Sequence, residues 1–254
     1  MNPLLDPQAH PIIAHRGASA DAPENTIAAF RAAVEQRADA IEFDVRLTRD
    51  GVPVVMHDPT LARTTDREDA VAALTLAELR RADAGARWLA PDGSRPWRGK
   101  GLIVPTLQEV LRGFPALPML IEIKCREAQD PAARVILEED AAARCVVASF
   151  KRGALTAFRR PPFQVGADRT DVTALLCLTR LGLPAPRPRC RLFAVPWRYK
   201  NRLEVPRPRF IREAGRHGCP VHVWTVDDRD TARLLRDRGA NGIITNRPGY
   251  LRGI

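Results

Sequence analysis

Nine short apolar runs, most of them separated by a helical pattern, constrain the fold of this chain more than any other feature. They cover residues 11–15, 40–47, 52–58, 118–124, 145–150, 163–167, 192–197, 220–226 and 242–245. The second and third flank Asp50-Gly51, a strong hairpin signal. Counted as one barrel strand with a return arm, that hairpin leaves eight strands with interleaved helices. Such alternation predicts an α/β fold, a (β/α)8 barrel, with residues 60–104 as a small insertion after the second strand. Barrels of about 250 residues fold as one unit, so residues 1–254 read as a single domain.

The helical patterns are less sharp than the strands. Glu24-Asn25-Thr26 opens the first, with Pro23 at its start and Ile27, Phe30, Ala33 and Val34 on one face. Others cover 75–81, 132–143 and 229–238, and Thr106 can cap a helix over 107–112. Residues 168–184 are the hardest to place. In the hairpin, a loop at Asp50-Gly51 sets His57 opposite Asp44, and a loop at Arg49-Asp50 sets it opposite Glu42. Both registers keep His57 on the carboxylate face.

Composition narrows the function classes. The formal charge is +10, and 36 of 40 basic residues are arginine. Eleven basic and two acidic residues lie between Arg180 and Arg216, so nearly all of the excess is there. Nucleic-acid binders carry a recognisable module with their charge; none is present, and nucleic acid is not an expected partner. A basic cluster of this kind favours an anionic surface, so peripheral membrane contact through residues 180–216 is an expectation. No apolar stretch reaches the roughly 18–20 residues of a membrane-spanning helix. Residues 1–10 lack the pattern of a secretion signal, and the five cysteines are odd in number and scattered. Cytoplasmic location and reduced thiols follow as expectations.

The informative residues are ionisable ones set into strands that should be apolar. Glu42 and Asp44 are two apart and point to one side, as do Glu122 and Lys124. His15 ends the first strand, followed by Arg16-Gly17. Functional groups of a barrel sit at the C-terminal strand ends. Three converging carboxylates repel one another unless a hard divalent cation, calcium or magnesium, binds their oxygens. Imidazoles titrate near neutrality, which makes His15 and His57 the natural acid–base pair. Arg16 suits bidentate contact with a phosphate and Lys124 supplies a point charge to it. His10, His217 and His222 read as structural. Trp224 ends a strand and serves either the core or a ligand.

These residues fall in motifs that resemble the glycerophosphodiester phosphodiesterases. They are Ala14-His15-Arg16-Gly17, Pro23-Glu24-Asn25-Thr26, Glu42-Phe43-Asp44-Val45 and Val55-Met56-His57-Asp58. Pro105-Thr106-Leu107, Ile121-Glu122-Ile123-Lys124, Ser149-Phe150, Trp224-Thr225-Val226 and Gly242-Ile243-Ile244-Thr245 extend the resemblance over nearly the whole chain. It implies a TIM barrel that hydrolyses small glycerophosphodiesters, such as glycerophosphocholine or glycerophosphoethanolamine, to sn-glycerol 3-phosphate and an alcohol. It also implies His15 and His57 as general acid and base, Glu42, Asp44 and Glu122 as cation ligands, and Arg16 and Lys124 on the phosphate. Trp224 would pack against glycerol or the head group. The family often has aspartate where Asn241 and Asn246 stand, and asparagine where Asp227 stands; these departures are expected to affect substrate contacts at the mouth rather than the chemistry. An alternative on the same fold is a lysophospholipase D or sphingomyelinase D-like enzyme acting on lipid, favoured by the basic segment.

Overall fold

The computed structural model describes residues 2–200 and 202–254. In chain order the strands are β1 (Ile12–His15), β2 (Ala40–Leu47), β3 (Pro53–Val55), β4 (Met119–Ile123), β5 (Cys145–Ala148), β6 (Gln164–Val165), β7 (Phe193–Pro196), β8 (Arg198–Tyr199), β9 (Leu203–Glu204), β10 (Val221–Trp224) and β11 (Gly242–Thr245). Eight of them run parallel in the spatial order β6-β5-β4-β2-β1-β11-β10-β7. The seam between β6 and β7 closes through a parallel bridge, Gly166 to Leu192, with Ala167 N donating to Leu192 O at 2.8 Å. This is the expected (β/α)8 barrel. β3 is the return arm on β2, and β8–β9 is a separate ribbon beyond β7 that the sequence pattern did not reveal.

The helices are α1 (Ile27–Glu35), α2 (Leu76–Leu79), α3 (Leu107–Gly113), α4 (Gln129–Glu138), α5 (Arg169–Arg180), α6 (Pro208–Arg216), α7 (Arg229–Asp237) and α8 (Pro248–Leu251). Residues 168–184, the hardest to place from sequence, contain α5, whose start is set by a capping box between Asp168 and Asp171. Thr106 caps α3 as expected, with Glu109 closing the box. Only a short 3-10 turn, Thr156–Phe158, stands between β5 and β6, so the helices do not alternate fully with the strands. Helix α4 begins three residues before its expected start and ends early, because Asp140 adopts a left-handed φ of 46°.

Strand parity divides the interior. Ile41, Phe43 and Val45 face outward and pack with Phe30 of α1 and Leu107 of α3. Burying a side chain of this size contributes roughly 2 kcal/mol. Inward, the floor of the barrel is Ile13, Ala40, Leu120, Val146, Leu192 and Ile244, with Leu4 packed among them. His222 belongs to this floor: it is fully buried, its Nε2 lies 2.9 Å from Leu4 O, and burial pushes its pKa down to about 4. A Cβ on Gly242 would collide with its ring. Moving two residues along the same inward rows, Ile13 gives way to His15, Ala40 to Glu42 and Leu120 to Glu122. The apolar floor becomes an ionisable mouth within one step of the pleat.

Two local expectations fail at the hairpin and at α1. The observed pairing is Val45 with Val55 and Leu47 with Pro53, midway between the two predicted registers. A three-residue loop, Arg49-Asp50-Gly51, accounts for it, with Thr48 N donating to Val52 O and Gly51 at φ 79°. Continued strand parity would then turn His57 away from the carboxylates. The strand ends at Val55 instead, and the chain leaves the ladder before His57. Helix α1 starts at Ile27, not at Glu24. Thr26 is its cap, and Asn25 sits left-handed at φ 58°, which no helix interior permits. Val34 is exposed, and Ala29 takes its expected place in the core.

Residues 60–104 are mostly irregular around a 3-10 turn and α2. They build a small core of Leu61, Val71, Leu74, Leu79, Ala82 and Val104 against Val54 and Met56. The basic segment is split by β7: Arg187, Arg189 and Arg191 precede it, Arg198, Lys200 and Arg202 follow it, and the remaining charges lie mainly on α6. All five thiols are free. Among the described residues no helix is long and apolar enough to cross a membrane.

Candidate active site

The site forms at the C-terminal ends of β1, β2 and β4, and the register explains it. His15 pairs with Glu42 across β1 and β2, and Asp44 pairs with Glu122 across β2 and β4. Residues level across a parallel ladder share a face, so the three carboxylates reach one spot. One oxygen from each of Glu42, Asp44 and Glu122 lies within 4.8 Å of the others. His15, Arg16, His57, Lys124 and Trp224 line the same cavity as these three. Its volume is about 140 Å³, room for more than a single water. All eight residues singled out in the sequence are therefore brought together.

Their partners differ, and so do their electrostatics. Asp44, 1% exposed, takes Lys124 Nζ at 3.1 Å, Arg16 Nε at 3.2 Å and the Asn25 amide at 3.0 Å. Burial alone would raise its pKa; Lys124 and Arg16 outweigh burial and hold it below the usual range. Glu42 makes no ion pair with either cation at contact distance, and their longer-range pull does not offset its burial. It accepts the Arg16 backbone N–H at 3.3 Å, and His15 Nε2 lies 4.0 Å away. Burial, with Asp44 beside it, pushes Glu42 well above the carboxylate range. Burial likewise raises Glu122, although Lys124 Nζ is 3.0 Å from it. With all three acids ionised, two cations leave a deficit of positive charge at the point where the oxygens converge, which, after burial, is what raises Glu42 and Glu122. An all-oxygen donor set in that condition fits a hard divalent cation.

The two histidines are held by different devices. His15 Nδ1 is 2.7 Å from Asn246 Oδ1, and burial, then Arg16, lowers its pKa. His57 Nδ1 is 2.7 Å from Asp58 Oδ1, and Arg46 Nε donates to the His57 carbonyl at 2.9 Å. Asp58 is in turn bound by Arg63 Nε at 2.5 Å, and Arg63 also clasps both oxygens of Glu24. Glu24 accepts from Arg16 at 2.8 Å. A chain of hydrogen bonds and ion pairs therefore runs from His57 through Asp58, Arg63 and Glu24 to Arg16. Arg16 occupies a left-handed φ of 56°, and Gly17 follows at 86°, where an added Cβ would lie 2.6 Å from the Ala29 carbonyl carbon. Glycine is needed there for the turn to pack on α1.

Sequence reasoning gave no supporting role to Glu24, Asn25, Asp58 and Arg63, and it set Asp227 and Asn246 among substrate contacts at the mouth rather than behind His15. Glu24, Asn25 and Asp58 stood inside quoted motifs, and their local signal was ambiguous with a helix start or a turn. Asn246 was expected among substrate contacts, but it touches His15. Phe150 also lines the cavity, its ring 6.1 Å from that of Trp224. His217 has a structural partner, its Nε2 3.0 Å from Ala185 O.

Imidazoles, guanidinium, ammonium and acids around one cavity at the mouth of a barrel provide the groups that phosphate-ester cleavage uses, and the relatives of the chain are enzymes of that class. The sequence profile of the glycerophosphoryl diester phosphodiesterase family matches residues 15–250. A glycerophosphodiester phosphodiesterase of Caldanaerobacter subterraneus is 31% identical over 256 residues, covering 94% of this chain and 95% of that protein. One from Bacillus subtilis is 32% identical over 270 residues, covering 96% and 86%. The crystal structure of an Agrobacterium tumefaciens glycerophosphodiester phosphodiesterase superposes with a TM-score of 0.75 at 26% identity, covering 96% of this chain and all of that one. An Oleispira antarctica phosphodiesterase, solved with its product sn-glycerol-3-phosphate, shares the fold with a TM-score of 0.76 at 24% identity, covering 96% of each chain. The chain belongs to the glycerophosphoryl diester phosphodiesterase family, whose members are phosphoric diester hydrolases.

Proposed function

We propose that this enzyme hydrolyses small glycerophosphodiesters, such as glycerophosphocholine and glycerophosphoethanolamine, to sn-glycerol 3-phosphate and an alcohol. Glu42, Asp44 and Glu122 would hold a calcium or magnesium ion, which supplies Lewis-acid stabilisation of charge on phosphate oxygen. Arg16 and Lys124 contribute fixed positive charge to the same anion. His15 and His57 remove and deliver the protons of the displacement. Trp224 and Phe150 offer an apolar surface to the part of the substrate that carries no charge. The observation that carries the reading is the convergence of three carboxylate oxygens within 4.8 Å in a cavity that both histidines also line.

The test is a panel of glycerophosphodiesters and lysolipids, assayed after exhaustive chelation and again with each metal. Loss of turnover on chelation and recovery with calcium or magnesium is expected. Full activity without metal would remove the cation from the reading. The exposed Tyr199, between Arg198 and Lys200 in the ribbon that follows β7, favours a second reading, in which the substrate is lipid at an anionic surface. Faster turnover of lysophosphatidylcholine than of glycerophosphocholine would select it.

A further inference from the structure

We propose that Asn246, held by Asp227, is a positioning residue that fixes the His15 imidazole with its proton on Nδ1 and its lone pair on Nε2. The inference rests on the reading of His15 as an acid–base residue, and it deepens that reading by naming what sets the reactive nitrogen.

The argument is one of donor and acceptor capacity along a chain of three strand ends. Asp227 lies just beyond β10, Asn246 follows the last residue of β11, and His15 ends β1; these strands are neighbours in the sheet. The Asp227 carboxylate accepts from Thr245 Oγ1 at 2.9 Å, from Asn246 N at 2.8 Å and from Asn246 Nδ2 at 2.7 Å. A carboxylate has no proton to give, so the amide nitrogen of Asn246 must be on its side. The amide oxygen then faces the other way, 2.7 Å from His15 Nδ1 and 2.8 Å from Ser19 Oγ, whose single proton it shares with the His15 carbonyl at 2.9 Å. An amide oxygen only accepts, so His15 Nδ1 must carry the hydrogen. Nε2 is left as the unprotonated nitrogen of the neutral ring, on the side of Glu42. Three bonds to Asp227 make the amide orientation a property of the fold rather than of the ligand. The partner on Nδ1 decides which nitrogen can react, and a histidine in the wrong tautomer loses its chemistry with its position intact.

The experiment reads the tautomer directly. Long-range proton–nitrogen correlation spectra of the labelled full chain, with His15→Gln to assign the ring, report which nitrogen is protonated. The wild-type protein is expected to show His15 with hydrogen on Nδ1. Asn246→Ala is expected to mix the two tautomers and to lower kcat on the order of 10²-fold with KM little changed, short of the roughly 10⁴-fold that a wholly wrong tautomer costs. Asn246→Asp alone sets two carboxylates against each other and is expected to lose activity. Combined with Asp227→Asn, it restores a donor facing an acceptor, and both the tautomer and kcat are expected to return. A tie that merely joins strand ends predicts no change of tautomer in Asn246→Ala. That result, or failure of the folded double exchange to recover kcat, overturns the proposal. Normal turnover in His15→Ala would instead sink the acid–base reading, and the spectra would still report the tautomer.

Discussion

The wall of the cavity has two halves of opposite character. The ends of β1, β2 and β4 supply His15, Arg16, Glu42, Asp44, Glu122 and Lys124, and His57 joins them from beyond β3. Leu120 of β4 lies beneath them, and the other strands and the residues just beyond their ends supply Ala148, Phe150, Ala167, Ala194, Trp224 and Ile244. Barrel interiors are ordinarily filled by bulky branched side chains. Here three alanines, Ala148, Ala167 and Ala194, leave space. The contrast teaches a division of labour. Charge is concentrated where a phosphoryl group would react, and shape is reserved for whatever is attached to it.

If that division holds, the largest effects belong to the charged half. His15→Ala and His57→Ala are each expected to lower turnover about 10²- to 10⁴-fold, the span of a lost general acid or base. Circular dichroism should be unchanged, because neither side chain belongs to the floor or to the outer core. Near-normal turnover in either variant would break the comparison at its stronger side.

Next in size is a pH effect whose sign follows from Glu42 and Glu122. Burial raises both above the ordinary carboxylate range, so near that range both carry protons that an incoming cation must displace. Calcium affinity should therefore climb with pH through the window above the ordinary carboxylate value, by up to about tenfold per unit for each proton displaced. Asp44, held below its usual value, stays ionised and adds nothing to the slope. The metal-free protein should show the reverse trend. A folded-state pKa raised above the unfolded one gives stability that is lost as pH rises through it. Calorimetric calcium titrations and denaturant melts at several pH values check the two slopes, and Glu42→Gln should flatten both. Parallel slopes would mean that these acids are compensated by something other than a cation.

The same contrast explains what could be read from the sequence. The charged half was legible because Glu42, Asp44, Glu122 and His15 interrupt runs that periodicity requires to be apolar. An interruption at matching parity is a signal that survives without coordinates. Ala148, Ala167 and Ala194 interrupt nothing; an alanine that leaves a cavity and one that fills a core read alike. The supporting shell was illegible for another reason. Asp227, Asn246 and Ser19 lie in three separate segments, and only the closure of β10, β11 and β1 makes them neighbours. The hairpin register failed on a single residue, since Asp-Gly suits a two-residue loop and the chain uses three. His57 reached the site because the strand stopped, an outcome that parity does not encode.

The smallest expected effect sharpens the apolar half. Trp224 follows His222 by two residues on the inward row of β10, yet one is buried in the floor and the other stands half-buried at the mouth against Phe150. A ring in that position can touch substrate without touching protons. Contact of that kind is made equally in the ground state and the transition state, so its loss raises KM and spares kcat. Trp224→Ala is expected to raise KM roughly tenfold, the equivalent of about 1.4 kcal/mol, with kcat within about threefold; Trp224→Phe should recover most of the binding. Steady-state kinetics on the preferred diester separates the two parameters. A fall in kcat comparable to that of the histidine variants would show that the apolar wall takes part in the chemistry, and the division between charge and shape would not stand.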